Sequence, residues 1–173
     1  TVDDARRSKA SEPTGAPRAQ EMVTRTKEPN MTLPRAVLLK LLSIYKELDY
    51  SLSSIEVQKL AYFGAVTGDI PKLRYVKGKY GPFASNLKNT LNALEGHFIK
   101  GVGDHDKMKS EISLVPKAIV ESERELRGHS DALDNIQRIS DLIEGFQTPY
   151  GMELLATVHW AVTHEPHVTD VNQ

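Results

Sequence analysis

The tetrapeptide Ser53-Ser54-Ile55-Glu56 fixes the start of a helix by itself. Ser53 and Glu56 stand three positions apart. The serine side chain can therefore accept from the glutamate's backbone N–H while the carboxylate returns to the serine's own N–H. Val57, Leu60 and Ala61 follow at helical spacing, and Gly64 to Gly68 marks the stop. Similar punctuation recurs along the chain. Thr32, with Pro34 in the first turn, opens a helix whose face is Val37, Leu38, Leu41, Leu42, Tyr45 and Leu48. Thr148-Pro149 opens "GMELLATVHWAV", which is apolar round most of its circumference and is therefore expected in the core with neighbours on several sides.

Between these lie weaker signals. Pro82 reads as the start of a third helix, with Leu87, Leu91 and Leu94 as its stripe and Gly96 as its end. Pro116 opens "PKAIVESERELRG", and Ser130 caps a helix carrying Leu133, Ile136, Ile139 or Ser140, and Ile143. "KLRYVKGKY" leans towards β structure with Lys77-Gly78-Lys79 as a turn, and "EISLV" reads as a short strand pairing with it. The expectation is a mainly α protein: a compact helical domain of about five to six helices with a small β-hairpin or sheet element.

At 173 residues the chain suits one domain with tails. Residues 1–30 lack apolar periodicity and mix charge with Pro, Ser, Thr and Gly, the composition of a linker or disordered arm. The first residue is not methionine, which suggests that something precedes it. Residues 31–165 read as the ordered domain and 166–173 as a tail, truncated at its end. The absence of cysteine excludes disulfides, Cys-ligated zinc and thiol nucleophiles. No apolar run approaches the roughly 20 residues of a membrane span, and no secretory leader opens the chain. No membrane is expected, and the cytoplasm is the default compartment.

Net charge is −1 and the pI is about 6.6, without the basic excess of a dedicated nucleic-acid binder. The charge is uneven, however. Residues 72–109 carry seven lysines and Arg74 against Glu95, Asp104 and Asp106, whereas residues 111–144 lean acidic. A dipolar domain of this kind is steered onto an oppositely charged partner. Within the basic part, "RYVKGKYGPF" interleaves Lys77 and Lys79 with Tyr75, Tyr80 and Phe83. Such a stretch serves a nucleic-acid strand or a protein partner equally well, and it can also be plain core under a turn.

Catalytic signatures are missing. Asp104-His105-Asp106 has metal-ligating side chains, but three adjacent polar residues beside glycine read first as solvated loop. His159 lies in an apolar helix as a hydrogen-bonded core histidine, and His164 and His167 lie near the tail. There is no H-E-x-x-H, G-x-S-x-G, P-loop or G-x-G-x-x-G pattern. Glu144 and Glu153 flank a helix junction, where carboxylates are usually solvated or capping. No catalytic residue, metal or cofactor is expected, and the chain is not expected to be an enzyme.

Four stretches together resemble the C-terminal domain of the DarG antitoxins: "SIEVQKLAYF", "VKGKYGPFASNL", "LEGHFIKGVGD" and "LIEGFQTPYGMELLATVHW". The resemblance runs from about Thr32 to Trp160. More loosely, "KLAYF…YGPF" is similar to helical Panacea-type antitoxin domains. The resemblance implies that residues 31–165 bind a DarT-type DNA ADP-ribosyltransferase toxin and obstruct it, possible DNA mimicry included, with no direct nucleic-acid partner. It also implies that residues 1–30 follow a macrodomain absent from this sequence. The candidate partner-binding residues are Tyr75, Lys77, Lys79, Tyr80 and Phe83, with His97, Phe98, Asp104 and Asp106 as a second, acidic loop. The alternative is a single-stranded nucleic-acid module using loop 74–83.

Overall fold

A computed structural model describes residues 26–47, 52–102 and 111–165. In these residues the chain runs α1 (Leu33–Glu47), α2 (Ser54–Val66), β1 (Val76–Gly78), β2 (Gly81–Phe83), α3 (Leu87–Leu94), β3 (Ile99–Lys100), β4 (Ser113–Leu114), α4 (Pro116–Leu126), α5 (Ser130–Ile143) and α6 (Pro149–His164). The protein is mainly α, with two small antiparallel strand pairs, β1–β2 and β3–β4.

The helix starts follow the chemistry of their first residues. Ser53 and Glu56 form the reciprocal capping box, and the Thr148 side chain accepts from Gly151 N at 2.9 Å ahead of Pro149. Helix α1 is the centre of the core. Val37, Leu38, Leu41, Leu42 and Tyr45 are fully buried, and the helix packs against α2, α4 and α5. Leu48 lies outside the described residues. Helix α2 is buried along most of its length between Val57 and Gly64 and packs against α1, α5 and α6. Ahead of α1, the Thr26 hydroxyl lies 3.0 Å from His97 Nε2, and Glu28 pairs with Lys117.

Four expectations are corrected here. Pro82 starts no helix: it sits in β2 opposite Lys77, and α3 begins at Leu87. A two-stranded hairpin leaves one side of each strand unpaired, so a residue without an N–H fits there. The turn is Lys79-Tyr80, closed by the Gly78–Gly81 pair, rather than Lys77-Gly78-Lys79. Segment 113–114 pairs with 99–100 and not with the earlier hairpin. Ser130 is the first helical residue of α5, with His129 at the cap position making no side-chain bond.

Helix α6 departs most from its expected place. Met152 and Ala156 are buried, but Tyr150, Leu154, Val158 and Val162, spaced by four, form an exposed stripe. Among the described residues, the main packing partners of α6 are α2 and β2, and the Tyr150–Val162 stripe faces away from them.

Candidate functional site

The hairpin is positioned by one face of α2. Gln58 faces the backbone of Ala84 with both ends of its amide, Nε2 donating to the carbonyl at 3.0 Å and Oε1 accepting from the N–H at 3.2 Å. Lys59 Nζ donates to the Pro82 carbonyl at 2.8 Å, and the Tyr75 hydroxyl donates to the Gln58 carbonyl at 2.9 Å. From the other end, Asn86 accepts from Arg74 N–H at 3.0 Å and donates to the Lys72 carbonyl at 2.7 Å, tying the entry of the hairpin to its exit.

Helix α6 braces the opposite side. Lys77 pairs with Glu165 just past the helix end. Gly81 has φ +81°, and a Cβ there would lie 2.3 Å from Thr157 Oγ1, so only glycine fits both the turn and the helix. Lys59 is buried at this junction. Burial pushes its ammonium down to about 8 from 10.5, and the Glu153 carboxylate works against the shift.

The clamped hairpin leaves its tip in solvent. Tyr80 is 51% exposed and Phe83 46%, with the Lys79 ammonium 5.2 Å from the Tyr80 ring centroid. Tyr80 and Phe83 overhang a cleft of about 570 Å³ whose cations are Lys59, Lys79 and Lys88 and whose apolar wall includes Ile55 and Leu91. No carboxylate stands among its described lining residues. Chemically this is a surface for an anionic partner that also carries apolar or flat groups.

On the other flank of the hairpin, the Tyr62 hydroxyl meets His159 Nδ1 at 2.7 Å across the α2–α6 contact. Burial holds the Tyr62 phenol above its ordinary value and, together with His164, holds the His159 imidazole below its own. Such a pair can pass or hold a proton. Tyr75 is pushed up by burial and by Tyr62.

The candidate residues therefore separate. Lys77, Lys79, Tyr80 and Phe83 come together on the hairpin, while Tyr75 is turned inward against Tyr62, ring centroids 5.1 Å apart. His97 and Phe98 lie elsewhere, buried beside α4, with Lys117 Nζ 5.1 Å from the Phe98 ring centroid. Phe98 is fully buried and offers no contact surface. Asp104 and Asp106 lie outside the described residues. Sequence reading missed Gln58, Lys59 and Asn86. Its usable signal was a lysine and a glutamine inside an otherwise apolar helix, the mark of a buried group with a fixed acceptor. Among the described residues no group of three or more acidic or histidine side chains is arranged to hold a metal, and no helix is long and apolar enough to cross a membrane.

No family model matches the chain. Curated relatives do. A Thermus aquaticus protein named DNA ADP-ribosyl glycohydrolase is 44% identical over 154 residues, covering 89% of this chain and 42% of the relative. Proteins of the same name from Mycobacterium bovis and Mycobacterium tuberculosis are each 34% identical over 171 residues, covering 88% of this chain and 47% of theirs. The chain spans less than half the length of these relatives. The expectation that the chain is not an enzyme is corrected by this finding: the proteins that match most of it bear the name of a glycohydrolase. Composition and short motifs could not reveal that, because none of the familiar hydrolase signatures occurs here.

Proposed function

We propose that this chain is the toxin-facing region of a DNA ADP-ribosyl glycohydrolase of the DarG kind, acting within a toxin–antitoxin pair. On this reading the hairpin surface binds a DarT-type DNA ADP-ribosyltransferase and obstructs its active site or its single-strand groove. The observation that carries it is the exposed pair Tyr80 and Phe83 on a frame held rigid by Gln58, Lys59 and Gly81. Exposed rings on a pre-set backbone are the usual anchors of a tight protein contact, because little freedom is lost on binding. The name these relatives bear supplies the chemistry of the setting.

Charge divides the work between two faces. The lysines of the hairpin suit an acidic rim of the toxin, whereas the acids of 111–144 suit the basic groove expected where DNA lies. The test is to titrate the chain into a purified DarT-type toxin and follow labelling of a thymidine-containing single strand. Release of ADP-ribose from a pre-modified strand is followed in parallel, so that toxin contact and hydrolysis are read separately. We expect stoichiometric loss of labelling, weakened by Tyr80→Ser combined with Phe83→Ser. Undiminished labelling at excess chain would overturn the proposal. Direct, salt-sensitive capture of the strand without any toxin contact would favour the nucleic-acid alternative.

A further inference from the structure

The cleft on the α6 flank of the hairpin differs in character from the lysine-lined one. Its volume is about 430 Å³, and rings form most of its wall: Tyr62, Tyr75, His159, Trp160 and His164. No Lys, Arg, Asp or Glu stands among its described lining residues. Tyr62 is its hub, with ring centroids 5.1 Å from Tyr75, 5.6 Å from His159 and 6.2 Å from Trp160. Trp160 and His164 stack face to face, 3.8 Å between centroids and 4° between planes, so a further flat ring could stack only on an outer face of the pair. The Thr163 hydroxyl lies 2.7 Å from His164 Nδ1 and fixes that ring.

A cleft of this kind selects by shape and polarity. Without a carboxylate it offers an ammonium no counter-charge, and without a lysine or arginine in the wall it offers a phosphate none. Burial and the neighbouring His164 both disfavour protonation of His159. What fits is a neutral flat ring that stacks on one side and presents hydrogen-bonding groups at its edge. The adjoining cleft, which Trp160 also lines, carries Lys77 and Lys79 beside the carboxylates Glu153 and Glu165, and the Lys77–Glu165 pair there is an exposed ion pair of the weak kind that a phosphate could displace.

We infer that this cleft binds a nucleobase, stacked on the outer face of the Trp160–His164 pair with its polar edge at the Tyr62–His159 pair and its phosphate towards Lys77. The base arrives either on a free nucleotide or on a single strand, since the ring chemistry is the same. The inference uses neither Tyr80 nor Phe83 and stands apart from the toxin contact.

Trp160 is the sole tryptophan of the sequence, so its fluorescence and its single indole N–H resonance both report on this cleft and its junction with the adjoining one. The chain is titrated with adenosine monophosphate, thymidine monophosphate and a short mixed-sequence single strand, with ribose 5-phosphate as the base-free control. We expect saturable movement of both signals with the base-containing probes and none with ribose 5-phosphate. His164→Ala, at an exposed position, weakens the interaction about fivefold or more, the low end of what one stacked base contributes. Tighter binding of the strand than of either monophosphate assigns the base to nucleic acid, and equal or tighter binding of a monophosphate assigns it to a free nucleotide. No saturable shift, an equal shift with ribose 5-phosphate, or unchanged affinity in His164→Ala overturns the inference.

Discussion

The Tyr45 hydroxyl donates to Glu56 Oε1 at 2.6 Å, joining the last turn of the core helix α1 to the capping box of α2. The other oxygen of Glu56 accepts from Ser53 N–H at 2.7 Å and from the Ser53 hydroxyl at 2.6 Å. A carboxylate only 1% exposed is thus satisfied on both oxygens, which is what makes its burial tolerable. Tyr45→Phe keeps the ring and removes one donor to a charged acceptor. The expected loss is about 1.5–3 kcal/mol of unfolding free energy, read from the urea midpoint.

Lys59 gives stability a pH dependence of definite sign. Its folded pKa is about 8, against 10.5 for an ordinary lysine. Below pH 8 both states carry the proton and the cost of burying the charge is constant. Between about 8 and 10.5 the unfolded chain holds a proton that the folded chain has released, so stability rises with pH through that window. Lys59→Met removes this rise. The difference in stability between the native chain and the variant should therefore move in favour of the native chain by up to about 3 kcal/mol across the window, measured by denaturant melts at several pH values.

Gly81→Ala places a Cβ against Thr157 and puts an L side chain at φ +81°. The cost of that backbone conformation alone is about 1–2 kcal/mol. The expected result is local: amides of Val76 to Phe83 exchange faster while those of α1 keep their protection, because the hairpin opens away from α6 and the core helices do not depend on it. Equal loss of protection in both places would contradict this.

Tyr80→Ala and Phe83→Ala test the hairpin tip. Both side chains are about half exposed, so thermal stability should change by less than about 0.5 kcal/mol for each. Affinity for the proposed toxin should fall by about 2 kcal/mol or more for at least one of them, measured by calorimetry. Lost affinity with an unchanged melt separates a contact residue from a structural one.

The helical frame was readable because its signals are local. Ser53 and Glu56 lie three residues apart, Thr148 and Pro149 are adjacent, and the α1 stripe repeats with the helical period. The hairpin was only half readable. Its β leaning was visible in Tyr75 and Val76, but Pro82 carries the same mark at a helix start as in a two-stranded edge. What distinguishes them is Lys59 reaching the Pro82 carbonyl from 23 positions earlier, a relationship no local pattern contains. Helix α6 shows a different limit. Periodicity reports how much of a helix is apolar, whereas the number of its neighbours depends on where the other helices pack. Of the candidate residues, those of the tip were picked out from composition and lie together on the hairpin, while Phe98 joined them only by charge and aromatic content and lies in the core.

The grip of α2 on the hairpin is directed at carbonyls and amides: Gln58 holds Ala84 and Lys59 holds Pro82 through main-chain atoms alone. Those handles exist whatever side chains the tip displays. Lys79 and Tyr80 can therefore be exchanged without disturbing the mount, so the chemistry shown at the apex can be rewritten in two letters while its support stays as it is.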